Sequence, residues 1–227
     1  MVNKDITVEG LHYLKNEPIK VSVRNGRIES IERSESEGLT QYIAPGFVDL
    51  QINGFKGVDF NSLATSEEDI VQVVHELFKE GVTSFYPTII TNSYGNIHVL
   101  VQKIAKAAKK YSLVNNTIAG IHLEGPFLSL EDGPRGAHEQ RFIKAPEWEF
   151  FKELNDSVDG LIKLITLSPE WAEAPEFIEN AVRNNVLVSI GHTSANSTQI
   201  ERAVEAGAGL STRSEERRVG KECPLLC

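Results

Sequence analysis

Residues with metal-binding chemistry stand near the middle of the chain, in residues 118–138, IAGIHLEGPFLSLEDGPRGAH. An apolar run (Ile118, Ala119, Ile121) leads into His122-Leu123-Glu124 and is stopped by Gly125-Pro126. It reads as a short buried strand. His122 and Glu124 are two apart, so both project from one strand face. The place where a strand of an α/β fold runs out is where chemistry is usually sited. A solvated glutamate and a hydrogen-bonded histidine before a turn would explain this motif equally well. The second partner is Gly191-His192-Thr193, which also ends an apolar run, Val186 to Ile190. A lone histidine at a strand end is more often structural. A carboxylate and an imidazole at matching strand ends suit zinc, which in catalytic sites takes three protein ligands and a water. Glu124 and His192 are the two candidates by position, and His122 is a weaker one.

The elements that must position them alternate regularly. Residues 5–32 read as small β structure, with Asn25-Gly26 between two alternating runs as a hairpin turn. Residues 33–40, RSESEGLT, mark a break. Phe47 to Gly54 reads as a buried strand ending in polar groups. Thr65-Ser66-Glu67-Glu68 opens a helix with Ile70, Val73, Val74, Leu77 and Phe78 on its apolar face. A strand follows from Val82 to Tyr86, stopped at Pro87, then a helix from about Ile97 to Tyr111 and the central strand at 117–124. Further helices are expected at 146–155, 175–184 and 198–206. Further strands are expected at 161–167, 186–190 and 208–212. Helices separate the strands from residue 47 onward, which makes the sheet parallel. No Gly-rich phosphate loop follows the first strand, so a (β/α)8 TIM-type barrel fits better than a doubly wound sheet. About six of the eight barrel strands are present. The expected organisation is a small β domain at 1–43, an incomplete barrel at 44–212, and a tail at 213–227.

Composition narrows the function classes. The chain has 227 residues, 41% hydrophobic and 24% charged, which suffices for a sizeable core. A net charge of -9 argues against a nucleic-acid or membrane-surface partner. No apolar stretch is long enough to span a bilayer, and MVNKDITVEG is no signal peptide. A cytoplasmic protein acting on a small molecule is expected. The two cysteines, Cys223 and Cys227, lie in the last five residues, so no disulfide framework holds the body together.

Five segments together resemble a known family: Ala44 through Gly54 (APGFVDLQING), His122 through Phe127 (HLEGPF), Gly136-Ala137-His138, Thr166 through Glu170 (TLSPE) and Gly191-His192-Thr193. They are similar to the N-acetylglucosamine-6-phosphate deacetylases of the amidohydrolase superfamily, over about residues 5–212. The resemblance implies removal of acetate to give glucosamine 6-phosphate. It implies Glu124 and His192 as metal ligands, Ala137 as a substrate contact, and His138 as a substrate-binding residue that polarises the acetamide carbonyl. Superfamily members with two metals carry His-x-His at the end of the first barrel strand. Here Gln51-Ile52-Asn53 stands there, so the resemblance is to the branch with one divalent ion, expected to be zinc. The family often forms homodimers.

The sequence departs from the family after Thr212. The family's third ligand is a histidine following Ser-Thr on the sixth strand; Arg213 follows Ser211-Thr212 here. Its catalytic aspartate, its phosphate-binding residues and its last strands are not found. Residues 213–227, RSEERRVGKECPLLC, interrupt a strand pattern and read as foreign sequence. A chain of these 227 residues is therefore expected to be inactive. Two rival readings remain open: another amidohydrolase acting on acylated or cyclic amides, which HLEGPF disfavours, and a non-catalytic sugar-phosphate-binding fragment.

Overall fold

The computed structural model describes residues 5–212. Arg213 and the tail to Cys227 lie outside the described residues, and so do the expectations that concern them. The chain divides into two compact units, Met1–Gly46 and Phe47–Cys227.

The first unit is a four-stranded sheet of β1 (Ile6–His12), β2 (Pro18–Arg24), β3 (Arg27–Arg33) and β4 (Tyr42–Ile43), in the order β3-β2-β1-β4. The turn between β2 and β3 is the expected one. Asn25 and Gly26 both take positive φ, 52° and 74°, as a tight two-residue hairpin requires.

The second unit carries β5 (Phe47–Ile52), β6 (Gly54–Phe55), β7 (Val58–Asp59), α1 (Glu67–Lys79), β8 (Val82–Ile90), α2 (Tyr94–Lys110), α3 (Ser112–Thr117) and β9 (Ile121–Glu124). It continues with α4 (Trp148–Asp156), β10 (Ile162–Leu167), α5 (Ala174–Arg183), β11 (Leu187–Ile190), α6 (Ser197–Glu205) and β12 (Leu210–Ser211). Six of these strands form one sheet, in the order β12-β11-β10-β9-β8-β5, and every pairing in it is parallel. The small β6–β7 pair is antiparallel and stands apart. Among the described residues no helix is long and apolar enough to cross a membrane.

The sheet is curled. Neighbouring strands lie about 4.8 Å apart, so on a flat sheet groups two strands apart would be separated by roughly twice that. Yet Gln51 on β5 reaches Glu124 on β9, and Thr166 on β10 reaches Thr212 just beyond β12. This is the concave inner face of a partial (β/α)8 barrel. Alternation along β9 divides the two sides. Ile121 and Leu123 join the hydrophobic core with Val73 and Val74 of α1, Ile104 of α2 and Ile178 of α5. His122 and Glu124, also fully buried, engage polar partners on other strands.

The helix ends follow local chemistry. Ser66 caps α1 in a reciprocal capping box with Asp69, and Asn196 does the same for α6 with Gln199. Three expectations needed correction. The strand that begins at Val82 does not stop at Pro87 but runs on to Ile90. Pro87 has no N–H to give, and it pairs with Ile52 at the point where the β5–β8 register shifts, between Asp49 and Ile52, an irregularity of the kind at which sheets accommodate proline. The central strand starts at Ile121 rather than 117, because residues 112–117 coil into α3. Ile118 contributes an isolated bridge to Phe85. Finally, β6–β7 interrupts the strict strand–helix alternation after β5.

Candidate metal centre

Glu124 is the last residue of β9 and is buried, with 1% of its surface exposed. Its Oε1 accepts from Gln51 Nε2 at 2.9 Å and lies 3.0 Å from His192 Nε2. His192 sits two residues past β11, and its Nδ1 lies 3.1 Å from the carbonyl oxygen of Pro134. A carbonyl can only accept, so Nδ1 carries a proton. A neutral imidazole has one N–H, which leaves a lone pair on Nε2 facing a carboxylate oxygen. The contact is favourable only with a positive charge between or on the two groups, either a second proton or a metal ion. The tautomer with Nδ1–H on a backbone carbonyl is also the one a zinc-ligating histidine uses. Burial alone would push the Glu124 carboxyl up. With the second proton on His192, the hydrogen bond it donates, its charge, and the neighbouring His138 and His122 outweigh burial and hold the carboxyl well below the usual carboxylate range.

His138 completes the cluster. Glu124, His138 and His192 each offer a ligand atom, and these atoms lie within 4.8 Å of one another. The rings of His138 and His192 meet edge to face, with centroids 4.4 Å apart. His138 arrives from the loop after β9, where Gly133 and Gly136 take positive φ and Arg135 donates to its carbonyl at 3.0 Å. Its Nδ1 lies 3.0 Å from Thr91 Oγ1, which is also 3.3 Å from the Glu124 carbonyl. The one Thr91 proton can serve a single acceptor. Donated to Nδ1, it leaves Nε2–H as a donor; donated to the Glu124 carbonyl, it leaves Nε2 as a lone pair.

The other expected residues separate. Ala137 is exposed, immediately before His138. Asn53 is exposed, with its carbonyl bonded to Phe60 N–H at 2.9 Å. His122 shares a strand with Glu124 but does not join the cluster. Its Nδ1 donates to the Leu50 carbonyl at 3.1 Å, and its Nε2 lies 2.8 Å from Thr166 Oγ1. Thr166 Oγ1 in turn meets Thr212 Oγ1 at 3.1 Å, and that meets Ser189 Oγ at 2.6 Å. This polar layer ties four strands beneath the rim. Gln51, a polar residue at the end of the first barrel strand, where site residues are expected, does reach Glu124. Thr91 and Pro134 are site partners that no local pattern announced, since each acts across a long sequence distance. A cleft of about 760 Å³ opens beside His192, lined by Pro134, Thr193, Ile200, Leu210 and Thr212 among others.

His122 yields a pH prediction. Burial, opposed by the Glu124 charge and the Leu50 carbonyl, lowers its pKa from 6.5 to about 4. Below 6.5 the unfolded chain takes up a proton that the folded chain refuses until about 4. Stability is therefore lost as pH falls through that window, by about 3 kcal/mol in all and about 2 kcal/mol by pH 5. Glu124 adds a further loss only below its ordinary value of 4.5. Urea unfolding at pH 7 and pH 5 should show the drop, and His122→Gln should flatten it. An unchanged slope in that variant would assign the effect elsewhere.

A curled parallel sheet with a carboxylate and two imidazoles gathered at its strand ends defines a (β/α)-barrel protein with a candidate metal centre. Residues 42–221 match the amidohydrolase family, and the chain belongs to that family, whose members are metal-dependent. Among its relatives, an N-acetylglucosamine-6-phosphate deacetylase of Bacillus subtilis (strain 168) is 33% identical over 223 residues, covering 92% of this chain and 54% of that protein. The Homo sapiens protein of the same name is 34% identical over 216 residues, covering 93% and 50%. The crystal structure of N-acetylglucosamine-6-phosphate deacetylase from Pasteurella multocida is similar at 28% identity with a TM-score of 0.77, over 92% of this chain and 56% of that one. The chain spans about half the length of the curated relatives it matches.

Proposed function

We propose that this chain serves the hydrolysis of N-acetylglucosamine 6-phosphate to glucosamine 6-phosphate and acetate, with one divalent ion, zinc, held by Glu124 and His192. The observation that carries the metal is the convergence of ligand atoms of Glu124, His138 and His192 within 4.8 Å of one another, around a buried Glu124–His192 contact that a bound cation would satisfy. The substrate follows from the relatives' names and from the motifs that resemble them. When bound, the ion supplies Lewis acidity toward the acetamide and eases deprotonation of water. The protein's own groups do the rest. His138 donates from Nε2 to the acetamide oxygen as negative charge gathers there, with Nδ1 accepting from Thr91. Ala137, at the exposed turn beside it, contacts the sugar. Water oxygen bonds to the carbonyl carbon, the C–N bond breaks, and the water's proton passes to the amine. The resemblance assigns that transfer to an aspartate on the eighth strand, outside the six strands described. A cytoplasmic setting suits a charged sugar phosphate, which does not cross a bilayer unaided.

The test is acetate release from N-acetylglucosamine 6-phosphate, from the unphosphorylated sugar and from a simple acylated amide, together with elemental analysis. In a protein where these residues are followed by a complete barrel, metal-dependent release from the phosphorylated sugar and about one ion per chain are expected. A polypeptide limited to these 227 residues should release none. Its sequence has arginine where the resemblance expects the third ligand, and a guanidinium cannot donate a lone pair to zinc. Preferred cleavage of another amide would sink the substrate assignment. Sugar-phosphate binding without acetate release by the completed protein would make it a binding protein.

A further inference from the structure

We propose that Glu170 is a positioning residue that holds His192 in the pose facing Glu124; this rests on the reading of His192 as a metal ligand. Glu170 closes the TLSPE segment after β10, and among the described residues it takes no part in the metal-capable cluster. Its carboxylate gathers three loops. Oε1 accepts from Ser129 Oγ at 2.8 Å, in the loop after β9. Oε2 accepts from the Ser194 backbone N–H at 2.9 Å, after β11, and lies 2.8 Å from Ser168 Oγ, after β10. Thr193 Oγ1 stands 3.4 Å from the same oxygen and 2.8 Å from Ser168 Oγ.

What these bonds restrain is a strained peptide. His192 has φ of 50°, the left-handed region that a residue with a Cβ enters at a cost and keeps only when its surroundings enforce it. The enforcement is a closed circuit. Ser129 N–H donates to the His192 carbonyl at 2.9 Å, while the Ser129 hydroxyl donates to Glu170. Two residues beyond His192, Ser194 N–H donates to the other oxygen of the same carboxylate. Glu170 thus grips the chain after His192 directly and its carbonyl through Ser129. A carboxylate suits this place because it only accepts, at two oxygens, from donors that arrive from several directions. Without it, Ser194 N–H and the Ser129 hydroxyl lose their partner. The turn is then free to relax toward right-handed φ, which swings the imidazole away from Glu124.

The test is Co2+ titration of the full-length protein used for the acetate assay, followed by its d–d absorption, with thermal unfolding of the metal-free protein alongside. Glu170→Gln keeps the volume but leaves one acceptor oxygen, and should weaken Co2+ binding about tenfold or more and shift the d–d bands. A residue that merely stabilises the fold would lower the unfolding midpoint and leave the affinity and spectrum of the folded protein alone. Unchanged affinity and bands in folded Glu170→Gln overturn the inference. Should that variant not fold, Ser129→Ala decides. It keeps the backbone bond to His192 and removes the link to Glu170 together with the 3.2 Å bond that Ser129 Oγ accepts from Glu131 N–H, which does not touch His192. A loss of about threefold is therefore expected, and no change overturns the proposal. Absence of Co2+ uptake by the unaltered protein sinks the metal reading and this inference with it; normal uptake with unaffected variants sinks this inference alone.

Discussion

Replacing Glu124 with glutamine should cost more than about 100-fold in metal affinity, beyond the roughly 10–100-fold typical of losing an outer-shell partner. The carboxylate is the one anionic group in the cluster of Glu124, His138 and His192, and it is buried where no solvent can substitute for it. Glutamine keeps the shape and can still meet Gln51 and His192, but it carries no charge, and an amide oxygen is a weak zinc ligand beside imidazole. The metal-free variant should remain folded, because an amide satisfies the same neighbours without needing a cation. Calorimetric titration with zinc, paired with thermal unfolding of the metal-free protein, separates the two effects. Near-normal zinc affinity in a folded Glu124→Gln protein would mean that the Glu124–His192 contact is an ordinary buried ion pair.

That the decisive pair was legible at all follows from strand geometry. Glu124 and His192 each follow a short apolar run and precede a glycine- or hydroxyl-rich turn, a pattern that places both at the same end of parallel strands. The Asn25-Gly26 turn and the apolar face of α1 were legible for the same reason, since each is a local consequence of backbone or helical period. What escaped depends on chain brought from elsewhere. Pro87 reads as a stop only if its N–H is needed, and the neighbouring strand decides that. Residues 112–117 carry β-branched Val114 and Thr117 and still coil, because both are buried against their surroundings. His122 reads as a candidate ligand from its spacing to Glu124, yet Leu50 and Thr166, 72 and 44 residues away, claim both its nitrogens. The left-handed turn at His192 leaves no trace in a histidine, and its restraint by Glu170 crosses three loops.

His138→Ala should lower turnover in the completed enzyme by about 100-fold while weakening metal binding by less than about tenfold. Its Nε2–H would meet an acetamide oxygen that gains charge as water adds, and a donor placed there is worth about 3 kcal/mol in the transition state and little in the ground state. The structure makes this a sharp question, because His138 also lies within ligand reach of Glu124 and His192. Its two possible roles need opposite tautomers, and Thr91 selects between them. Thr91→Val removes that proton. The Nδ1 atom then loses its hydrogen-bond partner, and the preference for Nε2–H weakens. Under the polarising role Thr91→Val should lower turnover about tenfold with KM and metal content little changed, the part of the His138→Ala effect that comes from holding the correct tautomer. Under a ligand role, His138→Ala should instead shed the ion, and turnover per ion retained should stay near normal. Measuring metal content and turnover on the same samples of both variants decides between donor and ligand.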